Sequence, residues 1–168
     1  MIVYWDSCVL LAWAKGEARA DVTPEDLAYW VQKFDDGTYK LITSSLLTLE
    51  ALEARTPEQA WRRIKSYLRP PRAEMYDITP PILEKAYEVR NHFAALPAPA
   101  GKRNHPTLSV PDAIHLATAV VMGAERFHTF DVGKRGSGLG LLGINDLSFV
   151  GSTLKPSLPL AEEPMLPL

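Results

Sequence analysis

The sequence has one cysteine, Cys8, so no disulfide can form within the chain and no Cys-x-x-Cys zinc pattern exists. That suits a reducing compartment, and a cytoplasmic protein is expected. The opening Met1-Ile2-Val3-Tyr4-Trp5-Asp6 has no basic segment ahead of an apolar run, so a signal peptide is not expected. No apolar stretch reaches the roughly 18–20 residues that cross a bilayer, and no membrane partner is expected. Neither sign of charge is in excess, the formal net charge being −2. A near-neutral total does not announce a nucleic-acid binder. It does not exclude one either, since basic residues can gather on one face. No internal repeat is visible.

What remains is the make-up of one ordinary globular domain: 168 residues, 46% hydrophobic and 23% charged. Ile2 to Trp5 reads as a short strand, and Asp6-Ser7 as the cap of a helix that runs to Lys15-Gly16. Thr23-Pro24-Glu25 opens a second helix carrying Leu27, Trp30, Val31 and Phe34. Tyr39 to Thr43 reads as a strand, with a helix starting at Ser44-Ser45. Further helices are expected from Thr56-Pro57-Glu58 to Leu68 and from Ile82 to Leu96, with a short strand at Met75 to Ile78 between them. Asp112 to Met122 is apolar nearly all round, which predicts a buried helix, and Gly123 stops it. Arg126 to Phe130 is the next strand, ending at Asp131. Strands alternating with helices predict an α/β sandwich with a mainly parallel sheet. Residues 151–168, with Pro156, Pro159, Pro164 and Pro167, read as a Pro-rich tail without a fixed fold.

In such sheets, sites form at the carboxyl ends of strands. Four acids invite that reading, although each has a structural explanation of its own. Asp6 caps a helix. Glu50 shares a helix face with Leu46, Leu47 and Ala54, where a carboxylate needs solvent, a partner or a metal. Asp112 follows Ser109 by three residues, an acidic variant of a capping box. Asp131 precedes a glycine-rich turn. Their shared placement at strand ends and helix starts is what those explanations omit. Two carboxylates at ~4 Å repel by about 4 kcal/mol at an effective dielectric near 20, and a divalent cation reverses that sign. All-oxygen donors suit Mg²⁺ or Mn²⁺ better than zinc, and such ions can promote phosphodiester hydrolysis.

The motifs go further. Val3-Tyr4-Trp5-Asp6-Ser7-Cys8-Val9-Leu10-Leu11, Thr43-Ser44-Ser45-Leu46-Leu47-Thr48-Leu49-Glu50, Val110-Pro111-Asp112-Ala113-Ile114-His115-Leu116-Ala117-Thr118-Ala119 and Phe127-His128-Thr129-Phe130-Asp131 occur in that order. Together they resemble the four acidic motifs of PIN domains, across roughly residues 1–150. The resemblance implies a three-layer α/β/α fold around a mainly parallel sheet, and an endoribonuclease using Mg²⁺ or Mn²⁺. It implies Asp6, Glu50, Asp112 and Asp131 as the metal and catalytic acids, with Asp6 and Asp112 first in rank and Asp131 last. Many small members are VapC-type toxins paired with an antitoxin. The expected partners are therefore an RNA substrate, an antitoxin and a second copy in a homodimer. Two other readings stay open: a non-catalytic PIN-like binding module, and an RNA-processing nuclease without an antitoxin.

Secondary candidates surround the acids. Ser7 and Ser45 can bond a ligand, but serine at a helix start is commonly a cap. Thr129 shares a strand face with Asp131. His115 lies one turn after Asp112 and reads as a hydrogen-bonded core histidine that can orient a carboxylate. Cys8 reads as packed, with no base in reach. Lys102, Arg103, Lys134 and Arg135 are the expected phosphate contacts, and Arg62 to Lys65 reads as ordinary solvated surface.

Overall fold

The computed structural model describes residues 1–19, 21–97, 107–133 and 139–162. Five strands form one sheet in the order β3-β2-β1-β4-β5. They are β1 (Ile2–Trp5), β2 (Lys40–Ser44), β3 (Ala73–Tyr76), β4 (Arg126–His128) and β5 (Pro156–Ser157). Every pairing is parallel, with Tyr4 opposite Ile42 on one side and Phe127 on the other. The mainly parallel sheet expected from sequence is therefore wholly parallel among the described strands.

Alternate residues of each strand face opposite layers, and two apolar cores result. On one face Val3, Trp5, Leu41 and Ala73 pack against α1 (Ser7–Lys15), α2 (Pro24–Asp35), α3 (Leu47–Glu53) and α4 (Glu58–Tyr67). On the other face Tyr4, Ile42 and Phe127 pack against α5 (Pro80–Ala95) and α6 (Val110–Val121). This is the three-layer α/β/α sandwich. Ala113 to Ala119 are all buried, because α6 packs against both the sheet and α5. That is why its sequence shows no polar stripe. No helix among the described residues is long and apolar enough to cross a membrane.

Helix ends follow local chemistry. Asp6 caps α1 by accepting the Ser7 N–H at 2.7 Å. Thr23 and Asp26 form a reciprocal capping box on α2. Gly123, at φ +68°, takes the left-handed position after α6. Several boundaries move by two or three residues. β2 runs on through Ser44, so α3 begins at Leu47 rather than at Ser44-Ser45. β3 begins at Ala73, not Met75, because Ala73 pairs with Leu41. α6 begins at Val110, which makes Asp112 its third residue rather than its first.

The larger correction concerns the tail. Residues 151–162 are ordered against the domain rather than free of fixed structure. β5 adds to the sheet with Phe127 opposite Pro156, and the Thr129 N–H donates to the Ser157 carbonyl at 3.0 Å. Leu154 is buried. Trp30 Nε1 donates to the Leu160 carbonyl at 2.9 Å, and Tyr29 and Tyr39 both donate to Glu162 at 3.0 Å. Proline lacks an N–H but is tolerated at an edge, and β5 is an edge strand.

Candidate metal centre

The strand order reverses at β1, whose neighbours are β2 on one side and β4 on the other. The chain leaves β1 towards β3 and returns to β4. A crevice opens beyond the carboxyl ends of β1 and β4, where doubly wound sheets hold ligands. Asp6 follows β1 directly, and its N–H donates to the His128 carbonyl at 3.0 Å, which ties the two strand ends together. Asp6, Glu50, Asp112 and Asp131 all line one cavity of about 370 Å³ at this place, with Ser7, Cys8, Lys15, Arg19 and Glu53 also in its wall.

Asp6 is the most constrained of the four. It is 5% exposed. Its Oδ2 accepts the Thr129 hydroxyl at 2.7 Å and the Cys8 thiol at 3.2 Å. Thr129 Oγ1 in turn accepts the Asp131 N–H at 3.0 Å, so one buried threonine links the acids at the ends of the two strands. Asp131 is itself committed. Its carboxylate accepts the Gly133 N–H at 3.0 Å and the Leu141 N–H at 2.8 Å, holding the two ends of the loop that follows. The turn-forming role read from sequence is therefore present, although the side chain also lines the cavity.

Asp112 reaches the cavity from the first turn of α6. Ser109 caps that helix through the Asp112 N–H at 3.2 Å, and the Ser109 hydroxyl donates to Asp112 Oδ2. Burial, followed by the Asp131 and Asp6 charges, raises the Asp112 carboxyl above its ordinary value against the pull of the Ser109 hydrogen bond. Burial is the larger cause, and the neighbouring carboxylates add to it.

Glu50 and His115 act as a pair. His115 is 1% exposed, and its Nε2 lies 2.7 Å from Glu50 Oε2 and 3.4 Å from Asp6 Oδ1. Burial opposes charge on the ring, but the Asp6 charge and the Glu50 hydrogen bond outweigh it and raise its pKa. Burial likewise opposes the Glu50 charge, and the His115 hydrogen bond and charge outweigh it, so that pKa is lowered. Asp6, Glu50 and His115 offer ligand atoms within 4.8 Å of one another. The imidazole is nonetheless a donor here rather than a ligand. Tyr4 Oη lies 2.6 Å from His115 Nδ1. Burial, with the Asp6 charge behind it, pushes the Tyr4 phenol well above its ordinary pKa, so it keeps its proton. A neutral ring takes that proton's hydrogen bond at Nδ1 and carries its own hydrogen on Nε2. A charged ring carries hydrogen on both nitrogens. In either form Nε2–H faces the carboxylates.

Ser7 Oγ lies 3.4 Å from His115 Nε2 and belongs to this cluster. Ser45 does not. It follows β2, with its N–H on the Tyr76 carbonyl at 2.8 Å, and does not line the cavity. Burial, with the Asp6 charge, raises the Cys8 thiol well above its ordinary pKa, so Cys8 is a packed thiol, as read from sequence. Lys102, Arg103, Lys134 and Arg135 lie outside the described residues. Tyr4 is the residue that sequence reasoning missed. The signal was its place two before Asp6, on the same face of the extended chain. Lys15 was missed too, although Ser7, Leu11 and Lys15 recur every four residues along one face of α1.

Asp112 Oδ1 accepts no hydrogen bond from the described residues, while Glu50 is held by His115 and, more weakly, by Ser7. A set of hard oxygen donors, partly uncommitted and with one member raised by burial and, second, by like charge, fits Mg²⁺ or Mn²⁺.

Comparison with known proteins bears on the fold and the family. Among solved structures, the fold is similar to VapBC2 from Rickettsia felis, solved bound to a DNA fragment from their promoter. The two share 14% identity over 94% of this chain and 98% of that one, with a TM-score of 0.54. A toxin–antitoxin complex from Klebsiella pneumoniae shares 18% identity over 80% of this chain and 94% of that chain, with a TM-score of 0.49. Comparison with curated protein sequences gives no match. The PIN domain profile matches residues 3–133, the whole length over which the four motifs run. The chain belongs to the PIN domain family.

Proposed function

We propose that this chain is a divalent-metal-dependent endoribonuclease and the toxin of a toxin–antitoxin pair. One observation carries the nuclease reading: four carboxylates from four separate segments line a single cavity at the switch point of the sheet. Asp6 and Asp112 would be the principal ligands of Mg²⁺ or Mn²⁺, with Glu50 beside them. Asp131, whose oxygens hold the following loop, would contribute least directly. The ion would supply an activated water and charge neutralisation for a phosphodiester. The protein's own part is to hold these oxygens in place. Thr129 fixes Asp6, and His115, held by Tyr4, fixes Glu50. The toxin role and an antitoxin partner are supported by the four motifs, by the family, and by the fold shared with VapBC2. A cytoplasmic homodimer completes the proposal.

The test is RNA cleavage by the purified protein with Mg²⁺ or Mn²⁺, with EDTA, and by the Asp112→Asn variant. Cleavage should need the ion and fall by about 100-fold or more in the variant. Thermal melting of the wild type should rise with Mn²⁺, and that of Asp112→Asn much less. A protein that binds the ion yet leaves diverse RNAs intact would be a binding module instead. Cleavage by a chain encoded without an adjacent antitoxin gene would favour an RNA-processing enzyme.

A further inference from the structure

A second cavity, of about 950 Å³, adjoins the acidic one. Lys15 lines both, and Ala54 in the acidic wall is followed directly by Arg55 in the other. The second wall carries Lys15, Arg55, Arg62 and Arg63, against a single acid, Glu17. Glu17 is shared between Arg19 at 3.0 Å and Lys15 at 3.9 Å, and Arg62 pairs with Glu58 at 2.8 Å. The sequence had assigned Arg62 and Arg63 to ordinary surface, but α4 packs against α1 and turns both towards the groove between them.

Two of these cations have no carboxylate partner among the described residues. Arg63 lies with its guanidinium 4.3 Å from the centre of the Trp13 ring and donates to the Trp13 carbonyl at 3.3 Å. Those contacts orient the group without neutralising it. Arg55 forms no ion pair among the described residues, and its backbone is held at φ +48°. Glycine adopts that conformation freely and arginine does not, so a cation is kept where glycine would be easier. A groove lined by four cations, two of them without a carboxylate partner among the described residues, and adjoining a cluster of carboxylates is a phosphate track beside a metal centre.

We infer that this groove binds the phosphates of a single RNA strand on one side of the scissile bond, with Arg55 and Arg63 as the principal contacts. The inference rests on the nuclease reading above for the identity of the strand. Lys15, at the junction, contacts the phosphate nearest the acids.

The test is fluorescence anisotropy with a short labelled oligoribonucleotide in EDTA, so that the strand stays intact. Arg55→Gly is suited to the backbone and should fold at least as well as the wild type. It should weaken binding about 3-fold and lower the log–log salt slope by ~0.7. The double variant Arg55→Gly/Arg63→Gln should weaken binding about 10-fold and lower the slope by ~1.4. Lys85→Gln on α5, outside the groove, should change neither. Wild-type affinity and slope in Arg55→Gly, and in the double variant shown to be folded, overturn the inference. So does a polyglutamate peptide that depends on these arginines when the oligonucleotide does not. Cleavage with Mn²⁺ is followed in parallel. If cleavage proceeds while the groove variants bind and cleave normally, only the groove is refuted. Groove-dependent binding with no cleavage in any metal supports the groove and refutes the nuclease reading.

Discussion

His128 should make this protein lose stability steeply in mild acid. The ring is 1% exposed in β4, with Trp30 against it at 4.4 Å between ring centres. Burial, with the Arg126 charge second, lowers its pKa to about 3. The hydrogen bonding agrees, since Trp5 Nε1 donates to His128 Nδ1 at 3.0 Å and so needs a lone pair there. The unfolded value is about 6.5. Between the two, the unfolded chain takes up a proton that the folded chain refuses. The contribution of the neutral ring is therefore full above about pH 6.5 and is lost as the pH falls towards 3. Linkage gives about 2 kcal/mol lost by pH 5 and about 5 kcal/mol in full. His115 works in the opposite sense. Its folded pKa is raised, so its stabilisation is present below about 6.5 and fades as pH rises through the folded value. The wild-type curve alone would mix the two. His128→Asn separates them, because Asn Oδ1 can still accept from Trp5 while nothing titrates. Urea unfolding at pH 7 and pH 5 is the assay. The variant should be less stable at pH 7 by ~1–3 kcal/mol, for the lost ring volume. The gap to wild type should then close by about 2 kcal/mol at pH 5. Two curves that stay parallel from pH 7 to pH 5 would refute the reasoning.

Two other substitutions probe the arrangement. Tyr4→Phe removes the partner of His115 Nδ1 in a buried place, and should cost about 1–3 kcal/mol in urea unfolding. If Tyr4 positions the ring, cleavage should fall in kcat more than it rises in KM, and an unchanged kcat would limit Tyr4 to a structural role. Glu162→Ala removes the acceptor of Tyr29 and Tyr39 and the ion-pair partner of Arg126. These groups are partly exposed, so about 1 kcal/mol is expected. Burial first, and the Glu162 hydrogen bond second, push the Tyr29 hydroxyl up to about 12. A tyrosine ionising at lower pH in the ultraviolet titration of the variant would check that contact.

Elements whose information is local could be read in advance. The caps at Asp6, Thr23 and Ser109 and the apolar periodicity of the helices place most elements to within two or three residues. Boundaries set by pairing could not. β3 starts where Leu41 finds Ala73, and β5 exists because β4 has an open edge that a proline-bearing segment can fill. The tail looked unstructured because its composition hides two distant acceptors, the Leu160 carbonyl and the Glu162 carboxylate, which serve Trp30, Tyr29 and Tyr39.

The site divides in the same way. The sequence by itself determined that four acids fall at strand ends and helix starts, and its motifs named the family, since residue identity and order are properties of the chain. Only the tertiary structure decided that the four acids share one cavity, that Thr129 joins two of them, and that Tyr4 and His115 hold Glu50. It alone set Arg55, with its positive φ and no ion pair among the described residues, beside them. The physical reason is range. A cap or an apolar stripe is satisfied within a turn or two of chain, whereas burial, charge repulsion and hydrogen bonds between residues over a hundred positions apart exist only once a parallel sheet has brought the carboxyl ends of its strands together.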